Sequence, residues 1–327
     1  MQLTKDYLSK ENGNSVKGIF AVVILLHHIS QFNYVKMPYY VFLLIQSAGY
    51  LSVGIFFALS GYGLSVQAQT KKDYLKTFWL HRILPLYLHY VVFMLLYLVF
   101  FIGIGRKFTA LEIVRSLLLY PTIVTNGWFF FSILILYVLF WIVHSVAKEP
   151  LCRDILMAAG LLMYCGAGIA LKWGYWIYIS VFAFLLGMIW QQYREKLDAF
   201  ASSGKNWWYG LLAGIFLFGM TFLFSHMYRL PEWCYMSLKA VSCVFFSGLV
   251  FWMLQKVPVR NFLTDFLGKY SLEIYACQGI ILYFLTNELH LTEPVKYLFF
   301  AVTGTLLLAF PVNRGYGKIR KFLQKQS

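Results

Sequence analysis

A lysine and a histidine in the first apolar stretch have a spacing that could support acid–base chemistry. Lys17 and His28 are eleven residues apart in SVKGIFAVVILLHHIS. On an α-helix this spacing leaves them about 20° from a common face and about 16 Å apart along the axis. A neutral histidine is well suited to take a proton from a hydroxyl near neutral pH, so His28 is a candidate base and Lys17 an orienting cation. Alternatively, Lys17 extends its charge to the membrane surface and the pair His27 and His28 forms hydrogen bonds between helices.

Two following segments offer groups for a ligand. The second apolar stretch ends in VGIFFALSGYGLS, where Ser60 and Gly61 would allow a helix or a ligand to approach the backbone closely. Helix packing is the commoner role of such residues. The basic segment after it, QTKKDYLKTFWLHRILPLY, holds Lys76, His81 and Arg82. These side chains could bind a phosphorylated ligand, or their charge could only orient the chain in the membrane.

Two later segments place polar groups inside apolar sequence. Asn126 and Trp128 open NGWFFFSILILYVLF, where a tryptophan commonly belongs to the aromatic belt of the membrane interface. Glu273 is the one acidic residue within an apolar stretch, FLGKYSLEIYACQG, which also carries Tyr275 and Gln278. Because a charge is costly in a membrane, we expect a Lys or Arg partner or a hydrogen-bond network around Glu273. Its role could be structural or functional.

The composition decides which elements must position these groups. Of the 327 residues, 60% are hydrophobic, 20% aromatic and 13% charged, and the mean hydropathy is +0.66. Soluble domains are about 45–50% apolar and about 25% charged, which excludes an ordinary soluble enzyme, a disordered protein and a secreted disulfide scaffold. An all-α, polytopic membrane bundle is the class that remains. The five cysteines form no close C-x-x-C pair and indicate neither a disulfide framework nor a metal site.

About ten transmembrane helices are expected, in a single transmembrane domain over residues 1–327 with no fused soluble domain. The predicted spans are 15–34, 40–66, 83–105, 128–146, 155–171, 176–193, 207–225, 236–255, 270–287 and 295–312. With both termini cytoplasmic, 20 of the 28 Lys and Arg residues lie in inner segments and 7 in outer connections, leaving Lys239 inside a span. Cytoplasmic loops are enriched in such residues. The formal charge of +15 therefore needs no nucleic-acid partner.

The longest outer connection, residues 105–127, contains the stretch LEIVRSLLLY. It is predicted to form a short amphipathic helix at the outer surface or to enter the bundle.

Taken together and in order, these segments resemble the acyltransferase type 3 family, bacterial multi-pass membrane acyltransferases that include O-acetyltransferases of cell-surface polysaccharides. The family's first helix carries a basic residue, ten residues and a His, as in KGIFAVVILLHH. Its Phe-pair and Ser-Gly element is similar to IFFALSGYGL, its basic loop to FWLHRILPLY with Arg82 in the Arg position, its Trp to NGWFFF, and its late element to LGKYSLEIYACQ. The resemblance covers nearly the whole chain.

Three departures from the family pattern matter. Lys17 stands where the family most often has Arg, which keeps the charge but not the bidentate fork. Leu84 or Pro85 stands where a second Arg is common, and Gln278 replaces the His that often ends the late element. We therefore do not expect proton transfer by Gln278. Some members carry an extracytoplasmic hydrolase-like domain after the last helix, whereas this chain ends at Ser327. It is expected to deliver the acyl group itself or to a separate extracytoplasmic transferase partner.

The resemblance implies an O-acyltransferase that moves an acyl group, with acetyl as first candidate, from cytoplasmic acyl-coenzyme A to an acceptor hydroxyl. The acceptor would be an extracytoplasmic cell-surface or lipid-linked carbohydrate, and the enzyme would lie in a bacterial plasma membrane. His28 would act as general base or as transient acyl carrier. Lys17, the second expected catalytic residue, would orient the thioester arm or the phosphates together with Arg82. Residues expected at the acetyl-coenzyme A or other acyl donor are Arg82, Lys76, His81 and Ser60. Residues expected to bind the acceptor or support the site are Trp128, Asn126, Glu273 and Tyr275.

The expected partners are the lipid bilayer, acyl-coenzyme A and the hydroxyl acceptor, with no metal and no nucleic acid. Two other classes stay open. A transporter or flippase for a lipid-linked sugar would use the same polar groups as a substrate path. A sensing or ligand-binding membrane module would use them without covalent chemistry.

Overall fold

The computed structural model describes residues 4, 6–32, 38–119, 123–227 and 230–326, and within them the regular structure is helical with no β-strand. The helices are α1 (Lys10–Phe32), α2 (Tyr39–Thr70), α3 (Leu84–Gly103), α4 (Ala110–Leu117), α5 (Trp128–Val146), α6 (Pro150–Ala170), α7 (Phe182–Ser202), α8 (Gly204–Met227), α9 (Glu232–Leu254), α10 (Phe262–Lys269), α11 (Ser271–Tyr283) and α12 (Pro294–Gln326). A π-helical turn, Trp79–Ile83, leads into α3, another, Phe284–Glu288, follows α11, and a 3₁₀ turn, Tyr175–Ile177, precedes α7.

Nine helical stretches of the described chain are long and apolar enough to cross a membrane. The protein is therefore a polytopic helical membrane protein, as predicted. The predicted span 270–287 is not among the nine. It corresponds to α11 and the π-turn after it, and polar residues such as Glu273 and Gln278 lower its apolar content. The cytoplasmic placement of both termini stays a prediction.

The last helix is longer than the sequence indicated. The predicted span ends at residue 312, but α12 runs from Pro294 to Gln326 and contains Pro311. A proline inside a helix removes one backbone hydrogen bond, so an end near it was the reasonable expectation. The helix continues because Asn313 and Tyr316, beyond the proline, bind groups on α11 and α3.

The amphipathic helix predicted in the long connection is present as α4. Thr109 caps it, since its Oγ1 accepts a hydrogen bond from Glu112 N at 3.2 Å, while Glu112 Oε2 accepts one from Thr109 N at 2.8 Å. This reciprocal pair satisfies two backbone donors at the helix start. Thr109 Oγ1 also donates to Glu112 Oε2 at 2.9 Å. The two hydrogen bonds that the Glu112 carboxylate accepts from Thr109 favour its charged form and lower its pKa. Tyr90 fixes the other end by donating to Ser116 O at 2.6 Å.

The chain forms two compact units, each built from three stretches. Unit 1 comprises Met1–Lys17, Tyr50–Thr77 and Leu136–Asp265, and unit 2 comprises Gly18–Gly49, Phe78–Ile135 and Phe266–Ser327. The expectation of one transmembrane domain over residues 1–327 stays a prediction.

In unit 1, α2 and α7 touch backbone to backbone. A side chain at Gly61 would collide with the carbonyl oxygen of Phe184, and one at Gly187 would collide with the carbonyl oxygen of Ala58. Small residues on both helices permit this approach. The glycine of the Ser-Gly element therefore has a packing role.

The first described residues of unit 1 are held by a polar cluster. Tyr7 donates to Asp198 Oδ1 at 2.9 Å and accepts from Trp190 Nε1 at 3.0 Å. The side-chain amide of Gln255 donates to the same carboxylate oxygen at 3.1 Å. The backbone carbonyl of Gln255 accepts a hydrogen bond from Thr4 N at 2.6 Å. Burial raises the pKa of the Tyr7 hydroxyl, which stays a neutral donor and acceptor. The start of the chain is thus tied to α7 and the end of α9.

Unit 2 is organised around α11. Leu25 and Ile29 of α1 share an apolar cluster with Leu282 at the end of α11 and Tyr297 of α12. A side chain at Gly18, the first residue of the part of α1 in unit 2, would collide with the backbone at residues 267–268. Close packing on several sides leaves α11 little freedom to move.

Candidate functional site

α11 presents polar side chains of the sequence-predicted site in three directions. Ten of its thirteen residues are buried, among them Glu273, Tyr275 and Gln278. At about 100° per residue, Tyr275 lies about 200° and Gln278 about 140° around the helix from Glu273. Each side chain therefore meets a different neighbour within unit 2.

Gln278 faces His28. The amide of Gln278 interacts with the imidazole of His28, and Gln278 Nε2 donates to Tyr275 O at 2.9 Å. His28 Nδ1 and Gln278 Oε1 are both buried without a partner in good hydrogen-bond geometry, while His28 as a residue is partly exposed. Buried polar atoms are nearly always hydrogen-bonded, so two such atoms side by side mark this place as unusual.

His27, the neighbouring histidine, has a different environment. Its Nδ1 lies 3.0 Å from Ile45 O, and its Nε2 lies 3.2 Å from the Gln31 amide. A side chain at Gly49 would collide with the His27 ring. Both ring nitrogens of His27 are thus engaged and the ring is packed against α2, which is the environment of a structural histidine.

Glu273 lies in a buried hydrogen-bond network, which is one of the two environments expected for it. Asn313 Nδ2 donates to Glu273 Oε1 at 2.9 Å. His89 Nε2 lies 3.1 Å from the same oxygen, a close pair whose angle departs from good hydrogen-bond geometry. Tyr316 stacks on the His89 ring, with centroids 3.7 Å apart, and donates to Pro85 O at 2.6 Å. Among the side chains that the structure describes, no Lys or Arg pairs with Glu273, so the hydrogen-bond network is the environment observed.

Tyr275 contacts the segment that opens α5. Its hydroxyl donates to Asn126 O at 3.2 Å, and its ring lies 4.9 Å from that of Phe129. Tyr97 of α3 donates to Ala276 O at 2.9 Å. The structure therefore brings Tyr275 and Asn126 together, through the backbone carbonyl of Asn126 rather than its amide.

The residues expected near the acyl donor are spread along the chain. In unit 2, Arg82 is half-buried and His81 is exposed, both in the π-turn before α3. Trp128, which was expected at the acceptor, is half-buried at the start of α5. In unit 1, Lys76 is exposed and pairs with Asp73 at 2.8 Å, which raises the pKa of the lysine. Part of its charge is therefore already offset.

Two further predicted residues lie in unit 1. Ser60 donates to Phe56 O of its own helix at 2.8 Å, which is a common arrangement for a serine inside a helix. Lys17 is half-buried on α1, the helix that also carries His28. Lys17 and Ser60 therefore lie on α-helices, within the predicted spans 15–34 and 40–66.

Unit 1 also contains a cavity of about 510 Å³. Its walls include Gln69, His144, Arg153 and Asp154, and the described residues that line it include none of the predicted site residues. No group of three or more His, Cys, Asp or Glu in the described chain could hold a metal ion.

Sequence reasoning missed His89, Asn313 and Tyr316. A signal existed for His89, because a histidine in the third apolar stretch is itself an intramembrane ionisable group. None existed for Asn313 and Tyr316, which lie beyond the predicted end of the last span and reach Glu273 and His89 only after folding.

Comparison with known protein families matches residues 14–314 to the acyltransferase domain of the type 3 family. The chain belongs to the acyltransferase type 3 family. The match includes the first helix with His28 and extends over α11 to Arg314. No curated protein and no solved structure matches the chain. As a type 3 acyltransferase, the protein is a membrane enzyme of acyl transfer.

Proposed function

We propose that this acyltransferase moves an acyl group, acetyl in the first instance, from acyl-coenzyme A in the cytoplasm to a hydroxyl on the other side of the membrane. The acceptor is a cell-surface or lipid-linked carbohydrate, and the membrane is a bacterial plasma membrane. The family match supports acyl transfer in general, and the distribution of basic residues supports the orientation. A separate extracytoplasmic protein could receive the acyl group in a later step.

The contrast between the two neighbouring histidines carries the proposal. His27 has both ring nitrogens engaged, whereas His28 has a buried Nδ1 without a well-formed hydrogen bond, next to the Gln278 amide. If Nδ1 carries the proton, it can donate to Gln278 Oε1, and Nε2 keeps the lone pair. Nε2 of His28 is therefore the reacting nitrogen.

His28 can act in either of two balanced ways. As a general base, Nε2 takes the proton of the acceptor hydroxyl while the oxygen attacks the thioester carbonyl. The carbon–sulfur bond then breaks and coenzyme A leaves as a thiol after taking a proton. As an acyl carrier, Nε2 attacks the thioester first, coenzyme A leaves, and the acceptor oxygen attacks the acyl-imidazole. Both ways consume one thioester per ester formed.

The other residues support this reaction. Lys17 and Arg82 would bind the donor's phosphates or orient its thioester arm, and His81 and Ser60 would also contact the donor. Lys76 would contribute less, because it pairs with Asp73. Tyr275, Asn126 and Trp128 would contact the acceptor. Glu273 would stabilise the site through its network with His89 and Asn313.

Coenzyme A release by the purified protein in nanodiscs tests this function. With acetyl-coenzyme A and candidate acceptors supplied, we expect the native chain to release the thiol and His28→Ala to lose about 100-fold or more of that rate. His27→Ala is the matched control, because it removes the neighbouring imidazole from the same helix. We expect His27→Ala to keep most of the activity, with thermal unfolding measured to account for lost packing.

The opposite outcomes are also informative. Equal rates in the native chain and His28→Ala would remove His28 from the chemistry. Movement of a lipid-linked sugar with no thioester consumed would replace the enzyme by a flippase, and ligand binding without either would favour a sensing module.

A further inference from the structure

Lys239 is a buried residue of α9, and aromatic rings surround its ammonium group. Only 7% of its surface is exposed. Its ammonium lies 4.4 Å from the ring centroid of Tyr235, 5.3 Å from that of Tyr175 and 5.4 Å from that of Tyr50. All four residues belong to unit 1. We call the three rings the tyrosine cage.

The cage is held in shape by the fold. Tyr235 lies one turn before Lys239 on α9, so the two side chains share a face. The Tyr235 and Tyr175 rings pack edge to face, with their centroids 6.4 Å apart. The backbone at Tyr50 is fixed by Ser180, which donates to its carbonyl oxygen at 2.8 Å. Three separate segments thus converge on one ammonium group in a fixed arrangement.

The charge of Lys239 has no negative counterpart within the described chain. No carboxylate of a described residue lies within 4.0 Å of its ammonium. Glu232, on the same helix, is exposed and seven residues away, which is about 10 Å along the axis. His226 interacts electrostatically with Lys239, but an imidazole supplies no negative charge. Tyrosine faces attract a cation, yet they are neutral.

A buried cation with no protein counter-ion is expensive in a membrane, and such residues mark binding sites for ions or substrates. A phosphate group fits the missing partner. It carries the charge that offsets an ammonium, and lysine binds phosphate as a point charge. Beside the cage, Trp176 is half-exposed, and its ring centroid lies 5.5 Å from that of Tyr175.

We propose that Lys239 and the tyrosine cage bind the phosphate group of a ligand that enters at the predicted extracytoplasmic ends of α7 and α9. The phosphate belongs either to a soluble phosphate monoester or to a lipid headgroup. This site does not include His28 and does not depend on acyl transfer.

Thermal unfolding of the purified protein in a phosphate-free maltoside detergent tests the site. Glycerol 3-phosphate and short-chain phosphatidic acid are titrated separately, with unfolding temperature and tryptophan fluorescence as readouts. We expect saturable stabilisation of the native chain by phosphatidic acid, and by glycerol 3-phosphate as well if the phosphate alone is recognised. Stabilisation by phosphatidic acid alone assigns the phosphate to a lipid. Both results support the site.

Lys239→Met should weaken this binding at least tenfold. The matched control is Lys256→Met, because Lys256 is also buried and lies 5.0 Å from the ring centroid of Trp207 at the other end of α9. We expect Lys256→Met to bind like the native chain. Lys239→Gln provides a polar variant with the same expected loss in case Lys239→Met does not fold.

A structural lysine would behave differently. Without ligand, Lys239→Met should unfold at the native temperature or above it, because removing an uncompensated buried charge is neutral or stabilising. The proposal is overturned if neither probe stabilises the native chain. It is also overturned if both Lys239 variants keep native affinity.

Discussion

Glu273 and Lys239 both lie inside predicted membrane spans, and their surroundings differ. Glu273 in unit 2 accepts a hydrogen bond from Asn313 and lies 3.1 Å from a His89 nitrogen. Lys239 in unit 1 meets only neutral tyrosine rings at close range among the described residues. The chain itself supplies the partners of the carboxylate, whereas the ammonium has no counter-ion from the chain.

The comparison separates a structural charge from a binding charge. A group whose partners come from two other helices stabilises the fold when those partners are in place. A buried ammonium that is surrounded by aromatic rings and has no counter-ion in the chain can bind an anionic ligand. Removing Glu273 should therefore cost stability, and removing Lys239 should cost binding.

Glu273→Leu should give the largest change in stability. It leaves the buried His89 ring nitrogen and the half-buried Asn313 amide without their acceptor, and an unsatisfied buried group costs roughly 1–3 kcal/mol. We expect a loss of about 3 kcal/mol in the free energy of unfolding, measured in detergent by denaturant titration. Glu273→Gln, which keeps an acceptor oxygen, should lose much less. A Glu273→Leu variant as stable as the native chain would contradict the structural role.

Asn313→Ala should have a smaller effect of the same kind. Glu273 keeps its contact with His89 and loses one hydrogen bond, so we expect a loss of about 1 kcal/mol. Hydrogen exchange should show the destabilisation in the part of α12 that follows Pro311. Unchanged exchange there would mean that Tyr316 alone holds this part of the helix.

The smallest effect is expected at Glu112, an exposed carboxylate that, like Glu273, accepts hydrogen bonds from the chain. Because Thr109 lowers its pKa in the folded chain, its stabilisation of α4 is present above the unfolded pKa of about 4.3. It is lost as the pH falls through the folded pKa. Amide exchange in α4 should therefore accelerate a few-fold in acid relative to its intrinsic rate, and Glu112→Gln should remove this pH dependence. A pH dependence that persists in Glu112→Gln must come from another group.

The sequence predicted those features that depend on local spacing. The apolar stretches predicted a membrane protein and most of its spans. The stretch LEIVRSLLLY predicted the amphipathic helix α4. The expectation for Glu273 was correct as a hydrogen-bond network, because the cost of a buried charge is independent of topology. The roles of His28 and Lys17 as catalytic residues stay predictions.

Features that depend on distant pairing could not be derived in this way. Asn313 lies 40 residues from Glu273, and no periodic pattern connects them. The same is true of the tyrosine cage, where Lys239 was visible as a lone cation in a span but Tyr50 and Tyr175 come from other segments. The polar side chains that hold α11 in place also lower its hydropathy, so α11 is not among the nine helices that are long and apolar enough to cross a membrane.

The docking of the first residues has a consequence for biosynthesis. Tyr7 and Thr4 bind groups at Asp198 and Gln255, near the ends of α7 and α9. A ribosome delivers Tyr7 early and Gln255 only after three quarters of the chain, so the amino-terminal segment must wait through most of translation before its partners exist. Unit 2 likewise needs residues 18–49 and residues after 266. Neither unit can be completed while its helices enter the membrane one by one, so final packing follows synthesis of nearly the whole chain.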